Sequence, residues 1–158
     1  MTREVVTSEN REEYMKEKME KKNPSKKPHI EVKHDLKKNW LSAHHPAGQV
    51  GGKVKDNALH ITYADLEEKE RGKGHGKAMY EALINHAHSK GMKVFSDATV
   101  EMPAVHVYES LGRHGYDVKR LAGGGELEPS EDVPHGAYYG KGSNSPVFEI
   151  GPKKHHNK

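Results

Sequence analysis

Apolar and polar side chains alternate with a period of two through four short stretches, Ile30 to His34, Trp40 to His44, Gln49 to Val54 and Leu59 to Leu66. Side chains that switch faces at every residue are the mark of a strand. Pro46-Ala47-Gly48 and Lys55-Asp56-Asn57 are turn-forming connections between them, so the four stretches predict an antiparallel meander. The period then changes. From Gly76 to Ser89, Met79, Ala82, Leu83 and Ala87 recur at helical spacing, and Lys90-Gly91 supplies a cation and a terminating glycine. Lys93 to Val100 predicts a strand, Ala104 to Gly112 a short helix and Tyr116 to Leu121 a further strand. Strand, helix, strand, helix and strand after a meander indicate a mixed α/β (α+β) sheet with a crossover helix packed on it. Beyond Leu121, Ala122-Gly123-Gly124-Gly125 and the acidic stretch to Pro134 read as an exposed loop, and Ser145 to Ile150 as a last strand.

The flanks differ in character. Ser8 to Asn23 is helix-forming and highly charged, with Ser8 or Asn10 available as N-cap and Glu12 and Glu13 in the opening turn. Its sizeable apolar side chains are Tyr14, Met15 and Met19, which suit either a solvated, loosely docked arm or an arm that binds a partner. Asn23 to Pro28 is a linker. The organisation expected is therefore an arm and linker over 1–28, a single domain over 29–152 and a disordered tail over 153–158.

Composition narrows the chemistry. With 158 residues, 32% hydrophobic content and a mean hydropathy of −1.00, the chain can bury one modest core. Charged residues make up 31% of it, yet the net charge is only +3, so the signs are interspersed. A dedicated nucleic-acid binder concentrates positive charge in a patch, and this pattern argues against one. A ligand carrying phosphates needs only local positive charge. The absence of cysteine excludes disulfides, a thiol nucleophile and a Cys-ligated zinc. His86 and His88 are two residues apart and cannot share a helix face, so no metal is expected from the histidine pairs. No stretch has the apolar length of a signal peptide or a membrane span, and a soluble cytoplasmic protein is expected.

The most informative segment is Arg71-Gly72-Lys73-Gly74-His75-Gly76-Lys77, between the fourth strand and the long helix. Alternate glycines let the backbone turn tightly and bring its N–H groups to an anion, and the helix that follows adds the positive end of its dipole. A P-loop would need Ser or Thr after Lys77, where Ala78 stands, and the glycine offsets do not fit a dinucleotide fingerprint. The segment resembles the pyrophosphate loop of the GNAT-type N-acyltransferases, Q/RxxGxG/A, at Arg71, Gly74 and Gly76. Further on, Ala104-Val105-His106-Val107-Tyr108-Glu109-Ser110-Leu111-Gly112, closed by Gly115-Tyr116, is similar to the family's second helix and turn. Two motifs in order are more specific than either alone.

The resemblance implies a GNAT-like, mostly antiparallel sheet and acetyl-CoA as co-substrate. Pantetheine would pair with the strand near Leu66, and pyrophosphate would lie on Gly72, Lys73, Gly74, His75, Gly76 and Lys77, with Arg71 adding charge. Tyr108 matches the family's tyrosine that protonates the leaving thiolate. The position of the usual glutamate base is taken by His60, whose ordinary titration range suits a base; Asp65, Asp97 and Glu101 are alternatives. The acceptor would be a protein lysine, an N-terminus or a small amine. Two departures stand out. Glu101 replaces the frequent asparagine, and only Asp35 to Asn39 separates the first two strands, where the family has a helix pair that helps to build the acceptor site. Either a wide site for a protein surface or a catalytically silent module in a larger assembly would follow. Compact GNAT domains of this kind are familiar from phages, so a virion-associated role is the corresponding alternative location.

Overall fold

The computed structural model describes residues 29–67, 74–142 and 144–154. The charged arm and linker of 1–28, Arg71, Gly72 and Lys73 of the glycine-rich loop, and the last four residues lie outside it. The meander forms as the alternation predicts, from β1 (Glu31–Asp35), β2 (Trp40–His45), β3 (Gly48–Lys55) and β4 (Ala58–Leu66). Asp56 and Asn57 both adopt positive φ, 54° and 60°, as a two-residue hairpin turn that follows the strand twist requires. Between β1 and β2 the turn is held by the Asp35 carboxylate, whose Oδ1 accepts from the amides of Lys37 at 3.1 Å and Lys38 at 3.2 Å. No helix pair stands at this connection.

Helix α1 (His75–Ser89) crosses over to β5 (Lys93–Phe95), which pairs in parallel with β4. Then come β6 (Thr99–Glu101), α2 (Met102–Arg113), β7 (Tyr116–Arg120), β8 (Gly125–Leu127), β9 (Ala137–Tyr139) and β10 (Phe148–Lys153). The main sheet runs β1-β2-β3-β4-β5-β10-β7, antiparallel except at β4–β5, and β6-β9-β8 form a small second sheet. Both helices pack on one face of the main sheet. Leu41, Ala43, Val50, Leu59, Ile61, Val94 and Ile150 turn towards that face and close with Met79, Leu83, Ile84, Val105 and Leu111 into one core. The register sets a row on the other face: Trp40, Lys53, His60, Phe95 and Glu149 lie side by side across five strands.

Two expectations need correction. The strand expected over Lys93 to Val100 is broken at Ser96–Ala98, and its halves join different sheets. Ser96, 1% exposed, causes the break: its hydroxyl accepts from the amides of Val147 at 3.1 Å and Phe148 at 2.9 Å and donates to the Asp97 carbonyl at 2.9 Å. The Asp97 carboxylate accepts from the Ala98 amide at 2.7 Å and turns the chain. Likewise the expected loop after Leu121 contains β8, which pairs with β9 through Gly125↔Tyr139 to Leu127↔Ala137. The closing strand also runs to Lys153, beyond the expected Ile150.

β3 and β4 are out of step at one place. Gly51 opposes Tyr63 and Gly52 opposes Ile61, so Thr62 is an extra residue on β4, a β-bulge. A Cβ on Gly52 would fall on the His60 carbonyl, whereas one on Gly51 would meet Trp40 Cζ2 at 2.9 Å, a side chain that can swing away. Gly52→Ala should therefore destabilise the fold by about 1–3 kcal/mol, as overpacking against backbone does. Gly51→Ala should cost less and shift the Trp40 emission; urea melts of both variants monitored by fluorescence test this order.

Candidate active site

The bulge has a geometric consequence at the next strand. β4 and β5 pair only through Ala58↔Lys93, Leu59↔Val94 and His60↔Phe95. Immediately afterwards β4 takes the extra Thr62 and continues to Leu66, while β5 ends at Phe95. A bulge bends and twists its strand, so the two diverge and open a wedge with its vertex at His60 and Phe95. Along that wedge the β5-facing edge of β4, from Ile61 to Asp65, has no strand partner among the described residues. Unpaired strand edges are templates for any ligand that carries alternating amide donors and acceptors.

Leu66 lies at the open end of β4, and its side chain reaches the start of α1, where a Cβ on Gly76 would stand 3.8 Å from Leu66 Cδ2. Gly74 is the N-cap of α1, with φ 85°, and no side chain caps this end. The first intrahelical bond runs from Ala78 N to Gly74 O, leaving the amides of Gly76 and Lys77 without intrahelical partners. No acidic residue stands in the first turn, so the positive end of the helix dipole is uncompensated there. The left-handed φ explains why position 74 needs glycine, while the open space at Gly76 admits alanine. His75 packs against His45 with the rings tilted and their centroids 4.4 Å apart, and the His45 Nδ1 accepts from the Ala47 amide at 2.9 Å, so the β2–β3 hairpin buttresses this turn. Lys77 Nζ lies 2.9 Å from His114 Nδ1, at the end of α2.

Tyr108 sits behind the vertex on the helix side. Its ring, 2% exposed, makes an edge contact with Tyr80 at 5.4 Å and a tilted one with Phe148 at 5.2 Å. Burial, reinforced by Tyr80 and by the Asp97 carboxylate, pushes its hydroxyl well above the ordinary tyrosine value, so it stays protonated at neutral pH. Burial likewise pushes Tyr80 up to about 12. His60 is half-buried and stacks on Phe95 at 5.3 Å, but on the opposite sheet face. The two candidate catalytic side chains thus lie on either side of the sheet, and the wedge is the opening between those sides. Asp65 is exposed on the far arm of β4, and Glu101 is the N-cap residue of α2. Tyr80, Ser96 and His45 were not singled out from the sequence as site residues: their roles depend on contacts across elements. Among the described residues no group of three or more His, Asp or Glu could hold a metal ion, and no helix is long and apolar enough to cross a membrane.

The model of the acetyltransferase (GNAT) family matches residues 3–112. No protein of curated function matches the chain. Among solved structures, the ribosomal-protein-S18-alanine N-acetyltransferase from Escherichia coli is 16% identical, with a TM-score of 0.49, covering 75% of this chain and 71% of its own. Nourseothricin acetyltransferase is 14% identical with a TM-score of 0.48, covering 80% and 85%. A protein assigned as a streptothricin acetyltransferase from Bacillus anthracis str. Ames, solved with acetyl coenzyme A, is 15% identical with a TM-score of 0.46, covering 74% and 65%.

The two buried tyrosines set an alkaline limit. Their folded pKa values are raised, so they add stability below the free value of about 10, and that stability is lost as pH rises towards 12. Titration of absorbance at 295 nm should show Tyr80 and Tyr108 ionising only together with the loss of near-ultraviolet circular dichroism. Their ionisation before unfolding would contradict the burial described.

Proposed function

We propose that this chain, which belongs to the acetyltransferase (GNAT) family, transfers an acetyl group from acetyl-CoA to an amine presented at the wedge between β4 and β5. Family membership supports acyl transfer in general. The observation that carries the finer reading is the conjunction at one place of a free strand edge, an uncapped glycine-rich helix start and a buried, protonated tyrosine.

The β5-facing edge of β4 from Ile61 to Asp65, with Leu66 at its end, suits the amides of a pantetheine arm, which would extend the sheet where β5 has left it. The amides of Gly76 and Lys77, with the helix dipole behind them, suit a pyrophosphate. Arg71, Gly72 and Lys73 precede this turn and extend the same proposed anion site. In the reaction, the acceptor nitrogen bonds to the thioester carbonyl carbon, and the tetrahedral centre then expels the thiolate. Tyr108 gives that sulfur its proton and recovers one from solvent. His60, at the vertex on the other face, takes the proton that the amine loses, directly or through water. A primary amine on a protein or a small molecule fits this scheme.

Calorimetry with acetyl-CoA is the first test, with binding expected at sub-millimolar concentration. No binding of acetyl-CoA or CoA in that range would leave a silent binding module as the reading. Gly74→Ala should weaken binding more than Gly76→Ala, because only position 74 needs the left-handed conformation, which costs an L residue about 1–2 kcal/mol. Tyr108→Phe should slow thiol release by about 100-fold or more with KM for acetyl-CoA nearly unchanged. An unaltered rate would remove Tyr108 from the mechanism.

A further inference from the structure

We infer that the Tyr80 hydroxyl is a second hydrogen-bond donor to the leaving sulfur, beside Tyr108; this rests on the acetyl transfer proposed above. Tyr80 is 4% exposed and Tyr108 2%. Among the described residues neither hydroxyl has a hydrogen-bond partner, although buried tyrosine hydroxyls ordinarily find one. Tyr116 shows the ordinary case in the same core, where its hydroxyl donates to Asn85 Oδ1 at 2.9 Å. A phenylalanine at position 80 would fill the same space with no hydroxyl to take out of water. The hydroxyl therefore does nothing for the fold, and a ligand group is the partner left to it.

Position decides which group that is. Tyr80 follows Gly76 by four residues and so lies on the same face of α1, about one turn or 6 Å further along. That face looks onto the far arm of β4, since a Cβ on Gly76 would stand 3.8 Å from Leu66 Cδ2. Followed from the helix start, it reaches Tyr80 and then the Tyr108 ring, whose centroid is 5.4 Å away with 77° between the planes. The two unpartnered hydroxyls thus belong to one aromatic pair on the helix side of the wedge. Burial first, then Tyr80 and the Asp97 carboxylate, oppose ionisation of Tyr108, so a charge on one hydroxyl is felt at the other.

When the tetrahedral centre collapses, the carbon–sulfur bond breaks and its electron pair stays on sulfur. Tyr108 by itself is a reluctant acid, because burial and its neighbours hold its proton tightly. Complete transfer would leave a phenolate packed against Tyr80 and Phe148, with the Asp97 carboxylate nearby. A hydrogen bond from Tyr80 stabilises the sulfur charge as it develops, so less depends on the Tyr108 proton. The sulfur ends with the proton from Tyr108 and the hydrogen bond from Tyr80, which keeps its own proton, and Tyr108 regains one from solvent. Burial, which pushes Tyr80 up to about 12, keeps it in the donating form.

Tyr80→Phe in the full chain keeps the ring and removes the donor. Its urea midpoint should equal or exceed that of the unaltered protein; a lower midpoint would show the hydroxyl bonded within the fold and overturn the inference. Thiol release from acetyl-CoA should slow about tenfold, as the loss of a hydrogen bond to a charged group does, with KM nearly unchanged. The opposite pattern, a raised KM at an unaltered rate, would put Tyr80 on the arm of the ligand and overturn it equally. CoA itself supplies a readout free of turnover: the thiolate absorbance of the bound ligand should appear at a pH about one higher in the variant, since the lost hydrogen bond favoured the charged form. Bound CoA whose thiol titrates alike in both proteins would overturn the inference and leave the proposed function standing. Failure of the unaltered chain to bind CoA would remove both.

Discussion

β4 can stay hydrogen-bonded to β5 for three residues and no more. Ahead of His60 the two strands are in parallel register, and behind it the extra Thr62 bends β4 away. Everything of chemical interest is arranged around that divergence. It leaves an edge of backbone amides inside a sheet that otherwise pairs them, aims that edge at the start of α1, and puts Tyr108 and His60 at the same vertex from opposite sides. The glycines of β3 are its counterpart, since Gly52 sits where the His60 carbonyl leaves no space for a side chain. β5 leaves on its own account, since Ser96 and Asp97 turn the chain away just after Phe95, so both strands contribute to the opening.

The environment of Tyr108 shows why such a vertex needs a packed wall behind it. A hydroxyl in water is a weak acid with many competing partners. Packed against Tyr80 and Phe148 and near the Asp97 carboxylate, this one is buried and held in its protonated form. Burial and protonation both come from its neighbours. The core that provides them is the same core that fixes α1 and α2 to the sheet, so the geometry of the site and the stability of the domain rest on the same contacts.

Much of this was legible in the residues. Period-two alternation placed β1 to β4 to within a residue or two, helical spacing placed α1 and α2, and the loop motif placed the start of α1 beside the end of β4. These signals are local, carried by neighbours along the chain. The break at Ser96 is of another kind. Lys93 to Val100 reads as one strand because nothing nearby says that the Ser96 hydroxyl will bind amides some fifty residues on. The same holds for β8, whose glycines suggest a loop until β9 pairs with them, and for the opposition of His60 and Tyr108 across the sheet, which depends on register. Ser and Asp favour turns in general, but the alternation on either side of Ser96-Asp97 reads straight through them.

That serine also changes how the stretch from Leu121 to Val147 is to be regarded. Its two ends are stapled together by the bond from the Leu121 amide to the Val147 carbonyl, and Val147 is held in turn by Asp97 and Ser96. The cost of closing the excursion is met at its base, and closure grows only slowly with length. Much of what lies between is tied back to the same frame, since β9 pairs with β6, the Gly140 amide donates to the Ala98 carbonyl and Tyr138 packs against Phe148, which leaves residues 128–135, the turn between β8 and β9, as the loosely attached part. That turn, rather than the whole excursion, is where a lineage of this domain can change length or composition at least risk to the fold.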